Sequence, residues 1–372
     1  MNQPSRFRRF LLPGFAFNAF VIGGGYATGR ELAEFFLPVG PRGGLAAIAL
    51  AMALWSVICA VTFLFARATG SQDYRGFFRN LLGRFWIVFE AAYLFIIVLL
   101  LAVFGAASGA IGAAMFGWPT IAGAFVLMAG IAGIVALGSA SVERLFKYAT
   151  LFLYAVYALF VCFTIARFGD RIAAGFADAS GTGGWALAGF TYASYNVLGA
   201  VVILPVLRHL TSNRDAVIAG VLAGPIAMIP ALLFFACMIG WYPGIGAELL
   251  PSDFMLRQLG LPLLHAAFQL MIFLAILETG VGAVHAFNER ISNFLSERRG
   301  RGLSASGRLA IAGTLLVGSV FVADRFGLVA LIAKGYRALA WIVLLVFVLP
   351  LMTWGLWQLV RGRTPSIGDA HL

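Results

Sequence analysis

Residues 10–37 read FLLPGFAFNAFVIGGGYATGRELAEFFL. From Phe10 to Ile22 the run is apolar apart from Asn18, and then Gly23, Gly24 and Gly25 precede Tyr26, Ala27, Thr28, Gly29, Arg30 and Glu31. Each glycine inside a helix costs about 1 kcal/mol relative to alanine, so three in a row favour leaving it. At a helical rise of ~1.5 Å per residue, Gly23 lies ~20 Å along a helix that starts at Phe10. That is well inside a hydrocarbon core ~30 Å thick. Irregular backbone at such depth persists only where it is buried in protein or lines a cavity. Its freed carbonyls and amides suit a cation and an anionic group. Close helix packing through small residues is the competing explanation for the glycines alone. The sequel Thr28-Gly29-Arg30-Glu31 favours a binding site.

Composition sets the environment. The chain has 372 residues, of which 62% are hydrophobic and 11% charged, whereas soluble domains carry about 25% charged residues. So few charges cannot coat a water-soluble globule, while lipid asks for none. The net charge of +11 is spread in short Arg clusters between apolar runs, as membrane topogenesis requires. A nucleic-acid platform gathers its basic residues on one face among aromatics, and no such stretch exists. Cys59, Cys162 and Cys237 fall inside apolar runs without CxxC spacing, which argues against disulfide or metal roles. The basic start, Met1 to Phe10, imitates a signal peptide, but the apolar run continues into Arg30-Glu31 with no small-residue cleavage site. An uncleaved first helix is expected.

Breaking the chain at charged and Gly/Pro-rich punctuation predicts ten spans: 10–37, 44–66, 85–115, 119–138, 145–167, 185–207, 215–240, 262–287, 307–323 and 337–360. Phe326 to Tyr336 is apolar but short and reads as an interfacial helix. Gly244 to Gly260, with Glu248, Asp253 and Arg257, reads as a partly helical surface loop. With the N-terminus inside, the inner segments hold 18 basic residues (Arg6, Arg8, Arg9, Arg67, Arg75, Arg79, Arg84, Arg144, Lys147, Arg208, Arg214, Arg290, Arg298, Arg299, Arg301, Arg308, Arg361, Arg363). The outer segments hold seven (Arg42, Arg167, Arg171, Arg257, Arg325, Lys334, Arg337). This bias places both termini in the cytoplasm and requires an even number of spans. Ten spans split as five plus five, and an odd number per half inverts the second half, residues 185–360, relative to the first, residues 10–167. Inverted-repeat transporters bind substrate near the midplane, where paired helices are broken.

Span six should carry the matching break. It reads Tyr192-Ala193-Ser194-Tyr195-Asn196-Val197-Leu198-Gly199, with Asn196 ~16 Å from the end near Trp185. Ser194, Tyr195 and Asn196 at that depth need partners, from neighbouring helices or from a ligand. Span eight contains Glu278-Thr279-Gly280, ~15 Å from its inner end. An intramembrane carboxylate is costly unless paired, and so marks a functional site; a structural pair with an arginine is the bland alternative. His285, two turns nearer the cytoplasm, is a proton-relay candidate or simply faces the headgroups. Arg30 and Glu31, with Glu34, read as a gate network next to the break, or as side chains snorkelling to the interface. Glu90 lies ~8 Å from the inner end of span three and suits an interfacial salt bridge, and Asn18 is a weak ligand candidate. There is no GxxxxGK[ST], no HExxH and no nucleophile paired with a base, so the chain does not read as an enzyme.

At these residues the sequence resembles the YkvI-type family of bacterial membrane proteins, in the amino acid–polyamine–organocation superfamily. The matching pieces are GGGYATGREL in span one, SYNV in span six, and ETG with His285-Ala286-Phe287-Asn288-Glu289-Arg290 in span eight. Ile332-Ala333-Lys334-Gly335-Tyr336 before span ten is the fourth. Family members begin the first motif with a GAG-like turn and place Gln before Glu, where this chain has GGG and Arg30. The resemblance implies a LeuT-like fold: a single all-α polytopic domain, a five-plus-five inverted repeat with helices one and six broken. It implies a solute at Gly23, Gly24, Gly25, Tyr26, Thr28, Ser194, Tyr195 and Asn196, and a coupling cation near Gly23, Glu278 and Thr279. The expectation is therefore a cation-coupled symporter of a small amino-acid-like solute in a bacterial inner membrane. It takes no prosthetic cofactor, only sodium or a proton as coupling ion, and its partners are lipid and the solute. A membrane receptor that keeps the transporter fold is the rival.

Overall fold

The computed structural model describes residues 4–137, 139–177, 183–299 and 302–362. Arg301 and Arg363 of the charge pattern lie outside them. Among the described residues there are twelve helices and no strand. The first, α1, spans residues 7–35 and is built from Phe7–Leu11, Leu12–Val21, Gly24–Ala27 and Arg30–Phe35. It is followed by α2 (Gly40–Ala68), a short α3 (Tyr74–Leu82), α4 (Trp86–Phe116), α5 (Thr120–Leu137) and α6 (Ser139–Ala177). The second half holds α7 (Trp185–Asn196, resuming at Gly199–Val202), α8 (Asn213–Ile239), a short α9 (Pro251–Leu259) and α10 (Pro262–Arg299). A glycine turn then separates α11 (residues 305–326) from α12 (residues 328–361), because Gly327 has φ 72° inside the stretch Ala305–Ala330. Setting aside the short α3 and α9, ten helices cross, as the hydropathy pattern predicts.

The exterior is apolar. Leu151, Leu187, Leu263, Phe321, Trp341 and Val360 are all exposed, a surface that water does not tolerate over so wide an area and that lipid does. The polar partnerships concentrate at two ends. At the end where α1 begins, Arg9 donates to Asp215 at 2.8 and 2.6 Å, and Arg67 donates to the Thr211 carbonyl at 2.8 Å. Arg290 pairs with Glu90 and lies over the rings of Tyr74 and Tyr93, the interfacial bridge expected of Glu90. At the opposite end, called here the loop face, Arg337 pairs with Glu34 at 3.3 Å and Arg167 donates to the Leu259 carbonyl at 2.7 Å. Between the ends, Trp55 of α2 donates to the Ala193 carbonyl at 3.1 Å, fixing α2 against α7 beside that helix's interruption.

Two segments differ from the sequence reading. Residues 328–336 are not an interfacial helix but the opening turns of α12, with Leu331, Ile332 and Tyr336 buried. The turn at Gly327 redirects the chain inward, which hydropathy alone does not reveal. The 244–260 segment is not a surface loop. Pro251, Ser252, Asp253, Met255, Leu256 and Leu259 of α9 are buried, because the amphipathic helix lies down over the second half of α1. Asp253 accepts from His265 at 2.7 Å and Gln269 at 3.0 Å, which pins α9 to α10.

Candidate functional site

The glycine run of α1 does break the helix. Ile22 leaves helical geometry with φ −72° and ψ 77°, and the Gly23 amide turns back to the Val21 carbonyl at 2.8 Å. A single turn follows before a second interruption at Gly29, whose φ of 79° suits glycine and strains any other residue. The Thr28 hydroxyl donates to the Gly25 carbonyl at 3.0 Å. The Thr28 carbonyl in turn accepts from the Ser252 amide at 3.0 Å, so α9 supplies a donor that the broken helix lacks. The α7 interruption is milder: Val197 and Leu198 stay right-handed, but the amides of Ala200 and Val201 bond three residues back, to Val197 and Leu198.

Glu31 is the surprise of the site. The sequence suggests a local gate with Arg30, yet the two side chains part. Glu31 is 2% exposed and accepts a 2.7 Å hydrogen bond from the Tyr195 hydroxyl. The Asn196 side chain and the backbone of Tyr26 are also directed at it. Its carboxylate lies where a Cβ on Gly25 would sit, so the third glycine makes room for the acid. Arg30 instead reaches the loop face. It donates to the carbonyls of Gly246 at 2.9 Å and Glu248 at 2.8 Å, and lies 3.5 Å from Glu34.

Two cavities adjoin the break. A small one of about 30 Å³ is lined by Gly23, Glu31, Tyr195, Asn196, Thr279, Tyr336, Phe104 and apolar neighbours. A larger one of about 300 Å³ is lined by Glu278, Thr279, Ile22, Tyr93, Tyr154 and a mostly apolar wall from α1, α4, α7 and α10. Phe20, Leu100, Leu198 and Thr279 border both, so the two are neighbouring compartments of one path. On the loop-face side the small cavity is covered by rings. Tyr195 packs against Tyr336, Phe35 and Tyr192 at centroid distances of 4.7, 5.7 and 5.7 Å, and Tyr192 against Phe36 at 4.7 Å.

Of the residues singled out from the sequence, the structure thus gathers Gly23, Glu31, Tyr195, Asn196 and Thr279 around one cavity, with Glu278 on the next. Gly24 and Gly25 belong to the break itself. Tyr26 is buried beside it, with no described hydrogen-bond partner for its hydroxyl. Thr28 and Ser194 spend their hydroxyls on the backbone, Ser194 donating to the Phe190 carbonyl at 2.7 Å. His285 is exposed and borders neither cavity, and Asn18 lies behind the larger one, donating to Tyr154 at 2.7 Å. The residues that sequence reasoning missed are Tyr336, Phe104 and Tyr192. Tyr336 had a signal as the last residue of the motif before span ten, and Tyr192 as the first residue of the stretch quoted from span six.

Neither a protein-family model nor a curated protein sequence matches the chain. Solved structures do. MhsT in complex with L-phenylalanine aligns over 97% of this chain and 98% of its own, at 17% identity and a TM-score of 0.57. The substrate-bound outward-open state of a Na+-coupled sialic acid symporter aligns over 95% and 82%, at 11% identity and 0.60. The Eremococcus coleocola manganese transporter, bound to an aromatic bis-isothiourea substituted compound, aligns over 97% and 85%, at 15% identity and 0.56. At these identities the likeness is one of fold, and the fold is the LeuT-like one.

Proposed function

We propose that the chain is a secondary active transporter that moves a small amino-acid-like solute in symport with a cation. One observation carries the reading: a membrane-depth helix break meets an intramembrane carboxylate, a second helix interruption and a buried cavity at a single place. A helix broken for packing alone would not leave Glu31, Tyr195, Asn196 and Thr279 around an unfilled space. Three proteins of similar fold are, by their own names or partners, a phenylalanine-bound chain, a Na+-coupled symporter and a manganese transporter. The solute is assigned to the small cavity and its extension toward the larger one, and the coupling cation to Gly23, Glu278 and Thr279, whose carbonyl, carboxylate and hydroxyl are hard oxygen donors. Sodium is the favoured ion on that donor chemistry.

The basic-residue bias orients the chain with both termini in the cytoplasm of a bacterial inner membrane. In that orientation the rings and Arg30 close the outer side, and the larger cavity lies on the inner side. Kinship with the YkvI-type family belongs to the same proposal and rests on the motif residues. The test is uptake into proteoliposomes under an imposed sodium or proton gradient, screened across amino acids and amines. Accumulation that collapses when the gradient is dissipated supports the reading. Specific binding without gradient-driven uptake overturns it and identifies a receptor that keeps the fold.

A further inference from the structure

We propose that the group recognised at the α1 break is a positively charged amine, with Glu31 as its counter-charge and no place for a solute carboxylate. This rests on the transporter reading above and replaces its amino-acid-like solute with an amine that lacks the carboxylate. A buried carboxylate is costly unless a positive charge or a full set of hydrogen bonds compensates it. Glu31 is buried, yet among the described residues no Lys, Arg or His pairs with it. The adjacent Arg30 is committed to the carbonyls of Gly246 and Glu248. Its direct donor is neutral, the Tyr195 hydroxyl at 2.7 Å, and the neighbouring Asn196 amide donates to the Tyr192 carbonyl at 3.3 Å.

The charge of the whole path points the same way. Glu31 borders the small cavity and Glu278 the larger one, and no described Lys, Arg or His lines either. When both acids are ionised, two carboxylates in one apolar channel call for two positive charges. A coupling cation at Glu278 supplies one, and an amine at Glu31 the other. A zwitterion brings no net charge and leaves one carboxylate uncompensated. It would also press its own carboxylate toward backbone that Glu31 already occupies, since that acid fills the space over Gly25. Like charges so placed repel. Tyr195 and Tyr336, whose rings pack on each other at 4.7 Å by centroid, both line the small cavity and give it an aromatic wall. A cavity of about 30 Å³ has room for a head group, with an uncharged body in the adjoining space of about 300 Å³.

The discriminating probes are pairs that differ by one carboxylate: ethanolamine against serine, and phenethylamine against phenylalanine. Binding to the full chain is measured at fixed sodium and neutral pH, by thermal stabilisation and by calorimetry. In each pair the amine should bind ~10-fold or more tightly than the amino acid. Glu31→Gln should cost the amine ~30-fold or more, the loss expected when one member of a buried charge pair is neutralised, while leaving the amino acid nearly unchanged. Tyr195→Phe should give a smaller loss of the same selectivity. Amino acids that bind as tightly as their amines overturn the inference, as does an amine affinity indifferent to Glu31→Gln, or no amine binding at all. If Glu31→Gln does not fold, the wild-type pairs decide. Glu31-dependent amine binding without gradient-driven uptake would sustain this inference and remove the transporter reading. Driven uptake of amino acids that ignores Glu31 would do the reverse.

Discussion

Replacing Arg30 with alanine should open the loop face. Arg30 bridges the second half of α1 to the 244–250 segment through carbonyl bonds of 2.9 and 2.8 Å, and its side chain is 7% exposed. A hydrogen bond to a charged group is worth about 1.5–3 kcal/mol net. The 3.5 Å approach to Glu34 is too long to add much. Two such bonds sum to about 3–6 kcal/mol, and once the segment lifts water replaces the lost carbonyl partners, which brings the net to ~2–4 kcal/mol. That moves a closed–open equilibrium ~30- to 1,000-fold. The assay is a cysteine at Phe35, which packs against Tyr192 and Tyr195, in a background without Cys59, Cys162 and Cys237. A membrane-impermeant thiol reagent is added from the loop face. Its rate should rise at least ~30-fold in Arg30→Ala, and partly in Arg30→Lys, which keeps the charge but loses the planar guanidinium. Equal rates in folded wild type and Arg30→Ala would refute the latch.

Gly29→Ala combines a left-handed backbone, ~1–2 kcal/mol, with a Cβ pressed on Phe234 and Pro251, ~1–3 kcal/mol; thermal melts in detergent should fall by several degrees, and an unchanged midpoint contradicts the strained turn. Glu278→Gln should weaken the ion dependence of uptake while sparing some solute binding; full ion dependence in that variant removes Glu278 from coupling. Single cysteines at the exposed Gln72 and Arg257 should label from opposite sides of the membrane, Gln72 from the cytoplasm, and labelling from one side contradicts the topology.

The ten crossings were legible because lipid demands long apolar runs and punishes the charges between them. The α1 break was legible for a related reason: three glycines at membrane depth have few explanations. What the sequence hid are contacts made at a distance. Nothing local to Glu31 says that it turns from Arg30 to Tyr195, 164 residues away. Nor does the polar look of Glu248, Asp253 and Arg257 reveal that α9 buries its other face over Thr28 and Gly29. Tyr336 was misplaced because the turn at Gly327 carries its segment from the surface to the cavity. Ser194, like Thr279, satisfies its hydroxyl on the carbonyl four residues back, a contact open to any serine or threonine within a helix. His285 shares nearly one helix face with Glu278 by spacing, yet it is exposed and borders neither cavity.

The central claim is that the solute sits at the break of α1, and uptake by Gly23→Leu beside wild type tests it most directly. A Cβ at Gly23 already comes within 3.2 Å of the Phe104 ring, and a leucine side chain fills a cavity of about 30 Å³ without touching the surface. In proteoliposomes holding matched amounts of monodisperse protein, wild type should accumulate solute down an imposed cation gradient and Gly23→Leu should not. Uptake by Gly23→Leu at the wild-type rate would place the solute elsewhere and contradict the account.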